Sequence, residues 1–386
     1  MNTPRIIYIT NARLPTEKAH GLATMKLSEA FAKAGAKVTV VVPWRWNPLR
    51  EDPFTYYGVE RVFHIVHIPS IDLLWLPFGK VLTFPLQLVS FSLSAAIWLF
   101  LRYGVFGKLR GAVIFSHDHI PLFFAGLITP YIFYDIHDYP TRNWFFRRVL
   151  TRARGFSVQT RGKVTALTHA FGIPAERIVA WPNGTDVERF RDLVPLSQER
   201  ERLGIPRDRA VALYTGSLQH WKGVDTLVRA AALLPGNFRT YIVGGDADEI
   251  APLQGLAPHA AITFVGKRPW REMPLWLAAA DILVLPNTGR EEISRSWTSP
   301  MKLFEYMASG RPIVASDIPS IREIVDAATV FLAAPDDPQA FASAIEMAAS
   351  GTADASTRAR RAQAEATRYT WTARAEVILE GFHRLR

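Results

Sequence analysis

Apolar residues along this chain recur in two alternating patterns. Arg5–Thr10 is a short apolar run, and Leu22–Ala34 then carries Leu22, Met25, Leu27 and Phe31 with helical character before Gly35 stops it. Val38–Val42 is an unbroken β-branched stretch, and Ala112–Phe115 and Tyr131–Ile136 repeat the strand signature. In the second half Val211–Tyr214, Thr240–Val243, Ile262–Val265, Ile282–Leu285 and Ile313–Ala315 read as strands with helices between them, and Ala353–Arg374 as an alanine-rich helix. Strands alternating with helices predict parallel sheets covered on both faces, in two Rossmann-like doubly wound domains. Two prolines and the Asn183-Gly184 turn signal place the linker near Ile173–Asp186. The expected domains are 1–180, with 366–386 packing back on it, and 181–365.

Two stretches depart from this alternation. Val81–Leu101 is 21 residues without a charge, between Lys80 and Arg102, which is long enough to cross a bilayer. Against crossing, it holds Thr83, Pro85, Gln87, Ser90, Ser92 and Ser94, and lies between strands of one expected sheet. Three readings stay open: a spanning helix, a helix lying at a membrane interface, and a buried crossover helix. Trp98, Phe100, Tyr103 and Phe106 near its end have an interfacial character. Tyr139–Ala175 contains Arg142, Arg147, Arg148, Arg152, Arg154, Arg161 and Lys163, no acid, and the aromatic run Trp144, Phe145 and Phe146. Such a run is ordinarily a solvated helix face. Unopposed cations beside aromatics favour a surface that meets an anionic membrane or an acceptor, with Arg142, Trp144, Phe145, Arg147, Arg148, Arg152 and Arg154 facing it.

Composition sharpens this picture. With 49% hydrophobic and 21% charged residues in 386, there is material for real cores, which excludes disorder as the dominant state. The absence of cysteine excludes disulfides, thiolate nucleophiles and zinc-thiolate sites. No long apolar region ahead of a cleavage signal opens the sequence, which argues against secretion. The net charge of +10 is unevenly placed. Residues 1–180 hold 21 basic and 10 acidic side chains, a net of +11, and the remainder 24 basic and 25 acidic, a net of −1. This excess suggests that the first half faces something anionic, with nucleic acid, an acidic membrane surface and simple solvation as the alternatives. Nucleic acid is disfavoured because no recognition module accompanies the charge.

Candidate chemistry concentrates in the second half. Tyr214-Thr-Gly216-Ser217-Leu-Gln-His-Trp-Lys222-Gly223 leaves a strand, turns on glycine and enters a helix, so free N–H groups and Lys222 can meet a phosphate. Ser299-Pro300-Met301-Lys302-Leu-Phe-Glu305 opens another helix with Lys302 and Glu305 on one face. A carboxylate there can accept two ribose hydroxyls while the helix start receives a diphosphate. Each feature alone is as well explained by an ordinary turn and a surface Lys–Glu pair.

Together with Lys18-Ala-His-Gly21, Asp135-Ile-His137-Asp138, Trp181-Pro-Asn183-Gly-Thr-Asp186, Gly244-Gly245, Phe264-Val-Gly266, Ala280-Asp281, Leu285-Pro286 and the closing Tyr369-Thr-Trp371, these motifs form an ordered set over nearly the whole chain. In that order they resemble retaining glycosyltransferases of the GT-B fold, family 4 (glycosyl transferases group 1). The resemblance implies two Rossmann-like domains facing a cleft, with a C-terminal helix crossing back to the N-terminal domain, which binds acceptor. It implies that Gly21 approaches donor phosphate and acceptor, and that His137 contacts the transferred sugar. Lys222 would neutralise the leaving diphosphate, and Glu305 would hold the ribose. Gly216, Ser217, Ser299, Pro300, Met301 and Lys302 would line the phosphate site, and Gly266 with the backbone of Lys267 and Arg268 the base. His137, Lys222 and Glu305 are the catalytic candidates.

Two departures bear on specificity. Trp297 stands where the family pattern has the acid that touches the donor sugar, and Ser217 where an arginine commonly follows the glycine. Arg290, Arg295 and Lys302 are candidates to restore the missing charge. The expected reaction moves a hexose-type sugar from a UDP- or GDP-sugar to a lipid-linked or membrane-associated glycan acceptor, in polysaccharide or glycolipid biosynthesis. It needs no cofactor or metal, and the protein would be cytoplasmic and peripheral to the inner face of the cell membrane. Electrostatic stabilisation of the leaving diphosphate fits that chemistry. Rival readings are an epimerase or phosphorylase on the same fold, a hydrolase binding metal through His117, Asp118, His119, His137 and Asp138, and a non-enzymatic membrane-surface protein.

Overall fold

A computed structural model describes residues 4–75, 79–104, 111–137, 143–191 and 193–384. Asp138, Arg142 and Phe106, which the sequence singles out, lie outside these residues. The chain divides into two compact units, Met1–Pro182 with Trp371–Arg386, and Asn183–Thr370.

The first unit is built on a seven-stranded parallel sheet. Its strands are β1 (Arg5–Ile9), β2 (Lys37–Pro43), β3 (His64–Ile68), β4 (Ala112–Ser116), β5 (Ile132–Ile136), β6 (Gly155–Val158) and β7 (Ile178–Ala180), in the order β3-β2-β1-β4-β5-β6-β7. The second carries six parallel strands: β8 (Ala210–Thr215), β9 (Phe238–Val243), β10 (Ile262–Gly266), β11 (Ile282–Leu285), β12 (Ile313–Ser316) and β13 (Phe331–Ala333), ordered β10-β9-β8-β11-β12-β13. Both sheets are doubly wound. The order of winding reverses between β1 and β4 and between β8 and β11, where the connections leaving neighbouring strands part at their carboxyl ends and leave room for ligand.

Local sequence explains most of this. Parallel strands buried on both faces need continuous apolar runs, and Ile6, Ile7, Val40, Val41 and Ile282–Leu285 are all essentially inaccessible. The strands missing from the sequence reading are those lacking such a run: β3 is interrupted by His64 and His67, β6 contains Gly155 and Ser157, and β7 and β13 are three residues each. The β7 strand falls inside the expected linker. It is the edge of the first sheet, so the division comes after it, between Pro182 and Asn183. Thr185 pairs with Thr370 in an isolated parallel bridge where the chain enters and leaves the second unit.

The 21-residue uncharged stretch forms the Lys80–Leu99 helix, the crossover from β3 to β4. Gln87, Phe91, Ser92, Ala95 and Leu99 line its buried side, while Val81, Leu82, Leu86, Leu93 and Ile97 stand exposed. It is long and apolar enough to cross a membrane, with one third of its most apolar window buried. Because the strands at both its ends belong to one sheet, crossing would tear that sheet apart, and the spanning reading falls. What remains is a crossover helix whose outer face is apolar.

The Trp371–Arg384 helix closes the first unit against the Ala19–Lys33 helix and the sheet. Phe382 lies 4.6 Å, 5.9 Å and 6.1 Å by ring centroid from Phe133, Phe115 and Phe31. Aromatic pairs at these separations contribute beyond their buried area. Phe382→Ala, emptying a 2%-exposed site, is expected to destabilise this unit by about 3–4 kcal/mol. Urea unfolding followed by an N-terminal-unit probe measures it, and an unchanged midpoint would contradict this account of the packing.

Candidate active site

In the second unit a glycine turn follows β8. Gly216 has φ +126°, and its N–H bonds the Val243 carbonyl at 2.8 Å. The turn is held on both sides. Tyr214 Oη donates to the Ser217 carbonyl at 2.7 Å, and Thr215 N–H donates to Tyr306 Oη at 2.8 Å. A β-carbon on Gly244 would come within 1.9 Å of the Gly216 carbonyl, so the neighbouring loop can approach only as glycine. A one-turn 3₁₀ helix, His220–Lys222, then leads to the Val224–Ala231 helix.

The Met301–Ser309 helix brings Lys302 and Glu305 to the same place. A β-carbon on Gly216 would lie 2.5 Å from Lys302 Nζ, which shows how closely that ammonium underlies the turn. Lys302 Nζ is buried, has no hydrogen-bond partner among the described residues, and rests 3.6 Å from the centre of the Tyr214 ring. Burial, reinforced by the charge of Lys222, holds its pKa well below the lysine range, and Glu305 offsets this only in part. Lys222 Nζ sits 3.5 Å over the Trp221 ring, and burial lowers its pKa to about 7. Of the three cations expected to compensate for Ser217, only Lys302 meets the turn. Arg290 turns to Asp336 at 3.7 Å, and Arg295 reaches the Gly289 carbonyl at 3.4 Å.

Glu305 is buried beside these lysines. Trp270 Nε1 donates to its Oε1 at 2.9 Å, and Arg189 stacks 3.8 Å over the Trp270 ring. Burial raises the Glu305 pKa against the opposing pull of Trp270, Lys302 and Arg189. The start of this helix is fixed by Asn183, whose backbone N–H bonds Ser299 Oγ at 3.0 Å and whose side-chain amide bonds the Ser299 carbonyl at 2.9 Å. Pro300 is buried and Met301 half-buried, whereas Ser217 is exposed. Gly266 ends β10 with φ +77°; the Lys267 side chain bonds Asp246 at 2.8 Å, and Arg268 is exposed. Trp297 ends a π-helical turn, Ile293–Trp297, and is half-buried. Trp270 and Arg189 were not legible as site residues, since nothing in their own neighbourhood marks them, and Tyr214 stood in the turn motif without a role of its own.

In the first unit, polar residues gather at the carboxyl ends of β1, β4 and β5. His137 Nε2 is 2.7 Å from Asp135 Oδ2, and burial lowers its pKa more than Asp135 raises it. The His117 ring lies 5.4 Å from His137, its nitrogens meeting Tyr8 Oη at 3.0 Å and Thr10 Oγ1 at 3.2 Å. Asp118 Oδ2 accepts from Asn11 N–H at 2.7 Å. These atoms are thus engaged within the protein, and among the described residues no acidic and histidine group has metal-holding geometry. Gly21 lies in the first turn of the Ala19–Lys33 helix, where a β-carbon would strike Tyr57 Oη at 2.3 Å. That hydroxyl bonds both the N–H and the carbonyl of Thr16 at 2.7 Å, so Gly21 lets the loop fold against the helix.

The basic stretch divides. The Trp144–Arg152 helix exposes Trp144, Phe145, Arg147, Arg148 and Arg152 and buries Phe146, Val149 and Leu150. Arg154 instead stacks 4.4 Å over Tyr131. Lys163 is no surface cation: it is 1% exposed and donates to the carbonyls of Ile136 and His137.

The pH dependence of anion binding follows from Lys222. A bound diphosphate favours the ammonium form, so binding takes up a proton above pH 7 and weakens as pH rises through that value. Calorimetric titration with a nucleoside diphosphate between pH 6 and 9 should show this loss, and Lys222→Met should flatten it. An equally steep curve in the variant would remove Lys222 from the site.

Comparison with known proteins agrees with this geometry. Residues 23–189 match the Glycosyltransferase Family 4 model and residues 209–350 the Glycosyl transferases group 1 model. A D-inositol 3-phosphate glycosyltransferase from Xylanimonas cellulosilytica is 27% identical over 246 residues, 60% of this chain and 57% of that protein. A second, from Corynebacterium urealyticum, is 26% identical over 69% of this chain and 65% of its own length. This chain thus spans somewhat over half the length of these curated relatives. Among solved structures, Anabaena HepE in complex with UDP and glucose superposes with a TM-score of 0.72 at 20% identity, over 99% of this chain and 100% of that one. The two family models together match most of the chain, one in each unit, and the doubly wound sheets are those of GT-B enzymes: the chain belongs to the family 4, group 1 glycosyltransferases.

Proposed function

We propose that this protein transfers a hexose-type sugar, with retention and without a metal, from a nucleoside diphosphate sugar to a lipid-linked or membrane-associated glycan acceptor. The observation that carries the donor half is Lys302 Nζ, buried beneath the Gly216 turn without a hydrogen-bond partner among the described residues. Protonating a buried amine that Glu305 compensates only in part is costly, and a diphosphate at the turn would supply the negative charge that favours the ammonium form of Lys302 and Lys222 together. Glu305, oriented by Trp270, would accept the ribose hydroxyls. HepE binds UDP, which makes a uridine nucleotide the first donor to try and a guanosine nucleotide the second.

The chemistry is one of charge placement. As the bond between sugar C1 and the diphosphate oxygen breaks, negative charge grows on the leaving group, where the two lysines stabilise it. Positive charge grows on the sugar ring. The acceptor hydroxyl would attack from the same face and give its proton to the departing phosphate oxygen. His137, with its Nε2 occupied by Asp135, would offer its other nitrogen to the transferred sugar.

The membrane half of the reading rests on the outer face of the first unit. The Lys80–Leu99, His119–Ala125 and Trp144–Arg152 helices pack side by side there. Val81, Leu82, Ile97, Phe100, Leu127 and Trp144, each more than half exposed, lie on this layer with Arg147, Arg148 and Arg152. Apolar and aromatic groups beside cations suit the headgroup region of an anionic bilayer. Gln87 of the same layer donates to Asn11 Oδ1 at 2.9 Å, at the carboxyl end of β1, and so ties it to the polar residues there. Peripheral attachment to the cytoplasmic face follows from this reading. The names of the curated relatives support a second reading, a small phosphorylated polyol as acceptor.

A panel of UDP- and GDP-sugars, offered with membrane extract or with inositol phosphate, tests both. Transfer should appear with membrane extract and fall at least a hundredfold in Lys222→Ala and Glu305→Ala; transfer to inositol phosphate alone would establish the second reading instead. Sedimentation with vesicles supplies a separate check. The protein should bind phosphatidylglycerol vesicles more than phosphatidylcholine ones, more weakly in high salt, and less after Trp144→Ser with Phe145→Ser. Equal binding to both vesicle types would overturn the membrane assignment.

A further inference from the structure

A fully enclosed polar network lies behind His137 in the first unit. Asp135 at the end of β5 is completely buried, and its two oxygens have different work. Oδ1 receives Arg374 Nη2 at 2.8 Å, Gln159 Nε2 at 3.2 Å and the hydroxyl of Ser157. Oδ2 meets His137 Nε2 at 2.7 Å. Arg374 comes from the Trp371–Arg384 helix and is itself 1% exposed. Its other terminal nitrogen donates to the carbonyls of Trp181 and Pro182.

We propose that Arg374, delivered by the C-terminal helix, is a positioning residue for His137 and acts through Asp135. The proposal rests on the reading that His137 contacts the transferred sugar. With Oδ1 filled by three donors, Asp135 has Oδ2 left for the imidazole. The carboxylate accepts there, so His137 carries its proton on Nε2 and leaves Nδ1 as a bare acceptor for a sugar hydroxyl. Lys163 fixes the backbone of the same residue through the carbonyls of Ile136 and His137. The guanidinium also decides how strongly Asp135 attracts a second proton to the ring. With Arg374 in place the carboxylate is already paired; without it, Asp135 would draw His137 toward imidazolium and turn Nδ1 from acceptor into donor.

Among the described residues the other charged or titratable groups facing His137 are few. His117 stands 5.4 Å away at the end of β4, and its charge opposes protonation of His137. His20, in the first turn of the Ala19–Lys33 helix, is pushed to about 4 by burial and by His117, and stays neutral near pH 7. The Lys163 ammonium is spent on carbonyl oxygens and Gln159. Among the described residues Asp135 and Arg374 therefore govern the ring between them. A buried ion pair that merely pinned the helix would need no histidine on its free oxygen.

Nitrogen-15 NMR of the histidine rings in the full chain tests this directly. In the unaltered protein His137 should be neutral at pH 7.5 with the proton on Nε2; a proton on Nδ1 would overturn the proposal without any substitution. Arg374→Met should move the His137 titration midpoint upward, and Arg374→Lys should bring it back toward the original. Donor transfer by Arg374→Met should fall roughly tenfold in kcat with little change in donor KM. An unmoved midpoint in a folded Arg374→Met protein would sink the idea. Should that variant fail to fold, the tautomer of the unaltered protein and the midpoint of Arg374→Lys decide. A midpoint that moves while kcat stays constant would keep Arg374 as the residue that sets His137, and would remove His137 from the transfer step.

Discussion

Two ammonium groups, those of Lys222 and Lys302, are taken out of water beside each other at the end of β8, and the arrangement of the second unit is organised around that cost. Desolvation penalises each of them and their mutual repulsion adds to it. The surroundings offer only soft compensation. Tyr214 and Trp221 present ring faces, and Glu305 is close enough to act on Lys302 without taking a proton-sharing bond from it. The turn above is rigid because Tyr214 and Tyr306 hold it and because Gly216 and Gly244 have no side chains to keep the loops apart. The two amino groups are thereby held in place without reorganisation, ready to take up positive charge when a diphosphate arrives, which is what a leaving diphosphate requires of its binding site.

The first unit solves the opposite problem. There a carboxylate is fully buried, and the protein spends an arginine, a serine, a glutamine and a histidine on it. Burial opposes ionisation of Asp135, but Arg374 and then His137 outweigh it and keep the carboxyl well below its usual range. The ion pair also joins residues 239 positions apart, so the closing helix and the polar end of the first sheet form as one piece. Breaking such a pair from one side is far more damaging than replacing both partners, because a charge would be left buried alone.

Much of the fold was legible because parallel strands buried on both faces announce themselves as apolar runs, and helices as apolar residues recurring every three or four. The strands that escaped notice are β3, interrupted by His64 and His67, β6, which carries Gly155 and Ser157, and β7 and β13, three residues each; their identity as strands comes from neighbours already in place. Of the candidate site, Gly216, Lys222, Lys302 and Glu305 could be read from turn and helix-face spacing. Trp270 and Arg189 could not, since a tryptophan that bonds Glu305 and an arginine stacked on it are recognisable only once residues 189, 270 and 305 meet. Lys163 was misjudged outright: counted among surface cations by its neighbours in sequence, it turns inward because the carbonyls at the end of β5 need donors.

The uneven charge shows the same division. Sequence alone determined that the excess of cations belongs to the first half, that the chain forms two doubly wound sheets, and that the phosphate turn and the Lys302–Glu305 helix exist, since these depend on composition and short-range periodicity. Only the tertiary structure decided which cations face solvent, which side of the Lys80–Leu99 helix is buried, that Lys302 and not Arg290 or Arg295 stands where Ser217 leaves a gap, and that Arg374 governs Asp135. Those outcomes depend on desolvation and on contacts between residues tens to hundreds of positions apart, and neither is written in any local stretch of the chain.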